Sequence, residues 1–588
     1  MTIDGLLTFL ALLVAVFAVM SRAQRLNLLL KIRASDIVIA IFAFITINVL
    51  EFYEPLAKAG WFPDSACLIL KPNELAYLAV LISILAIPFS IYIAQLPRNK
   101  VHRLRELVEE LTTQGQYVEV LGIVEVHLDR LVQIYKADFP ILKFRRWLET
   151  LDIDPHRLEN IVLRITQGEG GGDRMELSAL GRSKIAVVRT AGWFVRLLPP
   201  HDIEQQIAEE IFRSVLLRPE LIRSVVQTRP YFGLRILALD IDERHEFSDE
   251  YFRQLLADRT SILYWEIKNN QNNFSGSRHR YDLPKANRLL WYLFHDARVA
   301  EGLGVWQPIG EQMIAELDRL HRNVDDNHYN GPLEDYRERD QWKCPLFVGI
   351  RFFDIMVSEA IDQNIQWHMW LYYFTHITDC VCRNYHLDPQ KIDPDAEFPT
   401  PYSSLLYEMM STLRNWIQKV RELPAGQDNA VLNDKSLEHE NGNPIKSSIL
   451  VLGECLRTIL MTENVPPRFK RYVGSIVLNL YFDFVRCANL AGYAEVLRNV
   501  LVVGGLFERR DEGPEYLGNI IHVLVRNDNV PHRHEDVVQF MGILVHRFIE
   551  KFGQRRLSDY VVVEPWQEGS VRLSSGRHAY VVEPLGNE

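Results

Sequence analysis

Three apolar runs occupy the first hundred positions, and beyond them apolar and polar residues interleave at helical spacing almost to the end of the chain. Gly5 to Met20 carries no charge. Ile37 to Tyr53 is similar, with Asn48 and Glu51 toward one end. Leu75 to Leu96 is long enough to cross a bilayer outright, since about 20 apolar residues span the hydrocarbon. Pro88 lies inside it and predicts a kink, whose freed carbonyl a neighbouring helix or Ser83 would satisfy. The pattern predicts a three-helix transmembrane anchor over residues 1–97, with spans at about 3–21, 37–53 and 75–96.

Charge then orients the anchor. A signal peptide wants cations before its apolar run. Here only Thr2, Ile3 and Asp4 follow the initial Met, whereas Arg22, Arg25, Lys31 and Arg33 come after the run. That polarity favours a span with its N-terminus outside. Arg98, Lys100, Arg103 and Arg105 follow the third span, while the loop from Glu51 to Glu74 is acidic overall. Cations on the flanks predict a multi-pass protein of the cytoplasmic (inner or plasma) membrane with its C-terminal region cytosolic. Gln24 to Arg33 (QRLNLLLKIR) has the composition of a segment lying at the inner lipid surface.

Past Arg98 the period is helical. Val101, Leu104, Val108 and Leu111 open a juxtamembrane helical segment over 98–167, with further helices at Tyr117 to Tyr135, Leu142 to Leu151 and Pro155 to Gln167. Gly168 to Asp173 (GEGGGD) reads as a linker. It lacks the Gly-Lys-Ser/Thr ending of a phosphate-binding loop. Lys184 to Leu198 fits either a strand pair about Gly192 or a weak helix. A cytosolic α-helical domain is expected over 168–423, with helices at His201 to Leu217, Ser248 to Asn270, Lys285 to Gly302, Pro308 to Arg322, Trp342 to Gln363, Gln366 to Tyr385 and Ser403 to Leu423. A polar loop at 424–444 separates it from a second helical domain over 445–553. There the helices are Ile445 to Met461, Pro467 to Cys487, Tyr493 to Phe507, Tyr516 to Arg526 and Glu535 to Phe552. No fixed repeat period runs through these helices, so the fold class is mainly α, a bundle or an irregular α-solenoid.

The tail, 554–588, changes to a β-rich pattern. Tyr560 to Pro565 (YVVVEP) and Tyr580 to Pro584 (YVVEP) are near copies, with Val571 to Leu573 between them. They predict short strands around turns, either packed on the last helix or adding to a partner's sheet.

Composition narrows the function classes. The 588 residues are 48% hydrophobic, a globular value, and carry a net charge of −11. With cations concentrated near the membrane, the remainder is more acidic still, which argues against nucleic acid as a partner. Of six cysteines, Cys67 lies in the outside loop, and Cys344, Cys380, Cys382, Cys455 and Cys487 read as reduced cytosolic thiols.

Candidate chemistry is sparse. Arg235 to Asp242 (RILALDID) and Ile262 to Lys268 (ILYWEIK), if both were strands, would present Asp240, Asp242, Glu266 and Lys268 in the pattern of a Mg²⁺-dependent PD-(D/E)xK nuclease. The competing reading is a turn and a helix with solvated charges. His376 and Cys380 are four apart and would share a helix face, as two ligands of a Zn²⁺ would. Cys382 would then point elsewhere, and core packing of this aromatic-rich segment competes. His532 and His534 fit a solvated turn. Ala11 and Ala15, and Ala86, Ser90 and Ala94, have the small-residue spacing of packed membrane helices. No Ser/His/Asp nucleophile signature, Walker motif, dinucleotide fingerprint or His-Glu-x-x-His occurs, and no cofactor is predicted.

These observations predict an integral membrane protein whose cytosolic helical region binds or senses a protein partner, held at the bilayer and able to form a homo-oligomer. One alternative is an oligomeric membrane effector whose spans disturb the bilayer when the cytosolic region is triggered. A second is a membrane-tethered nuclease.

Overall fold

The computed structural model describes residues 22–61, 95–136, 202–271, 280–323, 327–334, 341–365, 371–388, 390–422, 444–505, 513–526, 534–565, 570–575 and 578–582, with a few shorter pieces. Most of the expected first span and most of the third lie outside the described residues. So do Cys67, His368, the helices expected at 142–151 and 155–167, the 168–173 linker, the 184–198 segment and nearly all of the 424–444 loop. The chain is mainly helical with a three-stranded C-terminal sheet, and it divides into two compact units. Among the described residues no helix is long and apolar enough to cross a membrane.

The first unit holds residues 1–228 and 239–244. Its described helices are α1 (Arg22–Lys31), α2 (Ala34–Glu51), α3 (Tyr53–Lys58), α4 (Val101–Thr113), α5 (Tyr117–Tyr135), α6 (Asp202–Leu216) and α7 (Pro219–Thr228). The apolar stripe of α4, Val101, Leu104, Val108 and Leu111, is fully buried. It meets α6, which also packs on α5, and α1 and α7 pack on α5 as well. Each fully buried aliphatic side chain contributes roughly 1.5–3 kcal/mol. Gly115 sits at φ +71° between α4 and α5, a backbone that glycine adopts without strain and that lets the two helices fold back on each other.

The second unit holds residues 229–238 and 245–588. Its helices are α8 (Pro230–Leu237), α9 (Arg244–Ala257), α10 (Ile262–Asn269), α11 (Arg288–Phe294), α12 (Ala297–Leu303), α13 (Trp306–Arg322), α14 (Pro345–Asp362), α15 (Tyr372–Asn384), α16 (Pro401–Gln418), α17 (Pro444–Met461), α18 (Pro467–Val485), α19 (Ala491–Val503), α20 (Glu515–Arg526), α21 (His534–Phe552) and α22 (Gln554–Leu557). Helix α14 is the centre of the first half. All of its residues except Arg351 and Asp362 are buried, and it packs against α10 to α13, α16 and α17. One helix surrounded by many is bundle packing rather than the neighbour-only stacking of a solenoid.

Several expected elements divide or change. The single helix expected over Ser248 to Asn270 breaks at Asp258 to Ser261. Asp258 accepts from the Thr260 N–H at 2.9 Å and its hydroxyl at 2.7 Å, a local bond that competes with the helix. The helix expected over Lys285 to Gly302 breaks where Asp296 accepts from the Arg298 N–H at 3.2 Å and starts α12. The strand reading of Arg235 to Asp242 is corrected to the end of α8 followed by a turn, and that of Ile262 to Lys268 to helix α10. A two-residue hairpin, β1 (Phe274–Ser275) and β2 (Arg280–Tyr281), was not signalled by alternation because it is too short to show a period.

The tail forms the antiparallel sheet β3 (Val562–Pro565), β4 (Val571–Ser575) and β5 (His578–Val582), with β4 in the middle. Leu573 pairs with Val563 on one side and Tyr580 on the other, and is fully buried. The sheet packs on α20 and α21, the self-packed arrangement. A Cβ at Gly518 would lie 2.5 Å from the Tyr560 ring, so glycine there lets the tail close on α20. His522 Nδ1 and the Tyr560 carbonyl meet at 2.8 Å.

Candidate functional site

The first site is the foot of α2. Helix α2 is apolar with acidic residues only near its ends, Asp36 and Glu51. Ile37, Val38, Ile39, Ile41, Phe42, Phe44 and Ile45 are each more than half exposed, and Phe42 reaches 71%. Three consecutive exposed positions point about 100° apart, so the exposed apolar surface is not confined to one face. Its internal polar groups turn inward on their own backbone. Thr46 Oγ1 donates to the Phe42 carbonyl at 2.8 Å, and Asn48 Nδ2 to that of Phe44 at 2.7 Å.

Cations gather where this helix begins. The last carbonyls of a helix lack internal partners. At the end of α1, Lys100 Nζ donates to the carbonyls of Leu29 at 2.8 Å and Ile32 at 2.5 Å. Arg33 donates to the Gln95 carbonyl at 3.5 Å, and Arg130 Nε to that of Leu96 at 3.3 Å. Asp36 caps α2 by accepting from the Arg33 N–H at 2.8 Å, and Arg98 pairs with Glu204. Residues 29–33 and 95–100 therefore lie together, and the two ends of the stretch between them meet.

Electrostatics record the crowding of positive charge. Burial lowers the proton affinity of Arg130, and neighbouring Arg98 and Arg33 lower it further. Burial and Arg103 lower that of Lys100, against an opposing pull from Asp36. His127 on α5 is buried and pushed down to about 4, first by burial and then by Lys31. Its Nε2 is buried with no hydrogen-bond partner among the described residues.

The second site is the polar interior around α14. Asp354 accepts from Tyr281 Oη at 2.6 Å and from Trp416 Nε1 at 3.0 Å, and meets Arg351 at 3.2 Å. Arg351 also donates to Tyr281 Oη at 3.3 Å. Glu408 is held above the usual carboxylate range by burial, against the pull of Arg351. One turn further, buried Lys419 reaches the Ser358 carbonyl at 3.4 Å and Asp362 at 3.6 Å. Apart from the Arg351–Asp354 pair, which lies within α14, the bonds to Asp354, Arg351, Ser358 and Asp362 join α14 to another element. They serve as internal fastenings, and a carboxylate satisfied by three donors has little capacity left to act on a substrate.

The residues of the nuclease pattern fall apart by role. Asp240 and Asp242 belong to the first unit, Glu266 and Lys268 to the second. The Asp240 side chain is 94% exposed and pairs with Lys136 at 3.2 Å. Glu266 is fully buried and accepts from the N–H groups of Leu289 at 3.1 Å and Leu290 at 2.9 Å, capping α11. Burial pushes it up to about 7, against the pull of those two donors. On α15 His376 is exposed while Cys380 is buried and accepts from Arg383 at 3.0 Å. Among the described residues no group of three His, Cys, Asp or Glu could hold a metal ion. Ala15 is helical and exposed, while Ala11, Ala86, Ser90 and Ala94 lie outside the described residues. Sequence reasoning identified the cations at the foot of α2 but not that Lys100 caps α1. It did not find the Asp354 network, whose partners lie 73 and 62 residues away. No family model, curated protein or solved structure matches this chain.

Proposed function

We propose that the first hundred residues hold this chain in a lipid bilayer, and that the large helical region is a binding module kept at the inner, cytosolic surface. The observation that carries the reading is the exposed apolar surface of α2 between Ile37 and Ile45, which is not confined to one face. In water so much apolar surface is unfavourable, whereas a helix that is hydrophobic all round belongs in a core or a membrane. Thr46 and Asn48, satisfied by their own backbone, suit a medium that offers no hydrogen bonds. Exposed Phe52 and Trp61 beyond the far end of α2 are of the type that sits at a lipid–water boundary.

The binding role of the second unit is supported by how its buried ionisable groups are used. Asp354, Glu266 and Lys419 are spent on joining helices, which leaves recognition to the surface. Trp265, 57% exposed on α10, is the kind of side chain that anchors a protein partner.

Alkaline carbonate washing of membranes from cells expressing the full chain tests the membrane reading. The chain is expected to stay with the lipid, and an Ile41→Asp/Phe44→Asp variant to be extracted more readily. Recovery of the unmodified chain as a detergent-free soluble species would overturn it.

A further inference from the structure

We propose that the cations at the foot of α2, namely Arg33, Arg98, Lys100, Arg103 and Arg130, bind the phosphates of anionic phospholipid headgroups. The inference rests on the membrane reading above and names the lipid chemistry of the same site. Contacts place four of these residues together: Arg33 on the Gln95 carbonyl, Arg130 on that of Leu96, Lys100 on those of Leu29 and Ile32, and Arg98 two residues from Leu96. Arg103 lies near enough to Lys100 to lower its proton affinity. The carboxylates close by are engaged. Asp36 holds the Arg33 backbone, and Glu204 holds Arg98. Arg130, Lys100 and His127 each respond to a neighbouring cation, so positive charge exceeds negative at this face.

Position selects the ligand. The cluster stands at the end of a helix whose exposed surface is apolar, so α2 in acyl chains puts the cluster at headgroup depth. Arg33 and Arg103 are exposed, and guanidinium groups match phosphate with paired donors. Each cation near an anionic surface adds roughly fivefold to partitioning, an effect that falls with salt.

Full-length protein in uncharged detergent is mixed with vesicles of phosphatidylcholine, with and without phosphatidylglycerol. Native mass spectrometry and thermal unfolding read bound lipid. Phosphatidylglycerol is expected to be retained and to raise Tm. An Arg33→Gln/Arg103→Gln variant is expected to lose about 25-fold of that preference. Equal uptake into both vesicle types by the unmodified chain overturns the headgroup inference and leaves the membrane reading standing. Uptake into neither overturns the membrane reading itself. Displacement of the lipid by inorganic phosphate or a short RNA duplex at lower concentration overturns the assignment to lipid. If the double variant does not fold, the comparison of the two vesicle types still decides.

Discussion

Helices α2 and α14 are both 18 residues long and both apolar, yet α2 exposes most of its apolar residues from Ile37 to Ile45 while α14 is buried nearly throughout. What separates them is where they keep their charges. In α14, Arg351, Asp354 and Glu359 stand among the apolar residues. Tyr281 and Trp416 meet Asp354 from other elements, and Glu359 accepts from Gln363 at the helix's own C-terminus at 3.2 Å. In α2 the middle is free of charge, and Thr46 and Asn48 need no partner beyond their own helix. A core helix can hold ionised groups because neighbouring side chains replace water. A helix facing lipid has no such neighbours. Both helices are apolar, and they differ in whether charged groups stand among the apolar residues.

The largest effect that sharpens this contrast is Asp354→Ala. It removes the acceptor of the described Tyr281 and Trp416 bonds and the carboxylate paired with Arg351 at 3.2 Å. Loss of a buried partner of this kind costs about 3–5 kcal/mol, readable as a shift of the denaturation midpoint. An unchanged midpoint would show that α14 is held by apolar packing and not by its charges.

Glu266 gives the next effect, through pH. Its folded-state value of about 7 lies above the ordinary 4.5, so its protonated form is favoured in the fold. The stability linked to it is fully present below pH 4.5 and is lost as pH rises toward 7, by about 3 kcal/mol. Thermal scans between pH 5 and pH 8 should show that slope, flattened in Glu266→Gln, which keeps an acceptor but not the titration.

His127 works in the opposite direction and in the first unit. Its folded value of about 4 lies below 6.5, so the stability linked to it is present above pH 6.5 and is lost as pH falls toward 4. The same arithmetic gives a similar or smaller loss, again about 3 kcal/mol at most. Amide exchange on α1 and α5 should quicken on acidification, and His127→Leu should remove most of that change.

The smallest effect belongs to α2. Asn48→Ala deletes a side chain bonded only to its own helix at the Phe44 carbonyl, among the bonds described, and should cost about 0.5–1 kcal/mol in detergent. A loss as large as that for Asp354→Ala would place a protein partner against α2 and dissolve the contrast.

Much of this was legible in the residues. The uncharged run from Ile37 set α2 apart from the helices after Arg98, and the near-copied valine segments announced the β3 and β5 strands. The cations after Met20 and after Leu96 were read as flanks of the same side; the structure shows that the two segments touch, with Lys100 on the end of α1. What was not legible depends on contacts distant in sequence or on single side chains. The apolar stripe of Leu255, Leu256, Ile262 and Leu263 runs straight through the break at Asp258, because one aspartate bonding Thr260 decides the break and hydrophobicity does not register it. Glu266 looked like a solvated charge or a metal ligand because its two donors, the N–H groups of Leu289 and Leu290, leave no mark in its own segment.

The most direct test is the surroundings of Phe42 in the reconstituted protein. A spin label is placed at Phe42→Cys on α2 and, as a reference, at Val126→Cys on α5, which is also half exposed. The label at 42 should collide freely with oxygen and rarely with a polar nickel complex, while the label at 126 should do the reverse. Equal access of the nickel complex to both would put α2 in water and contradict the account.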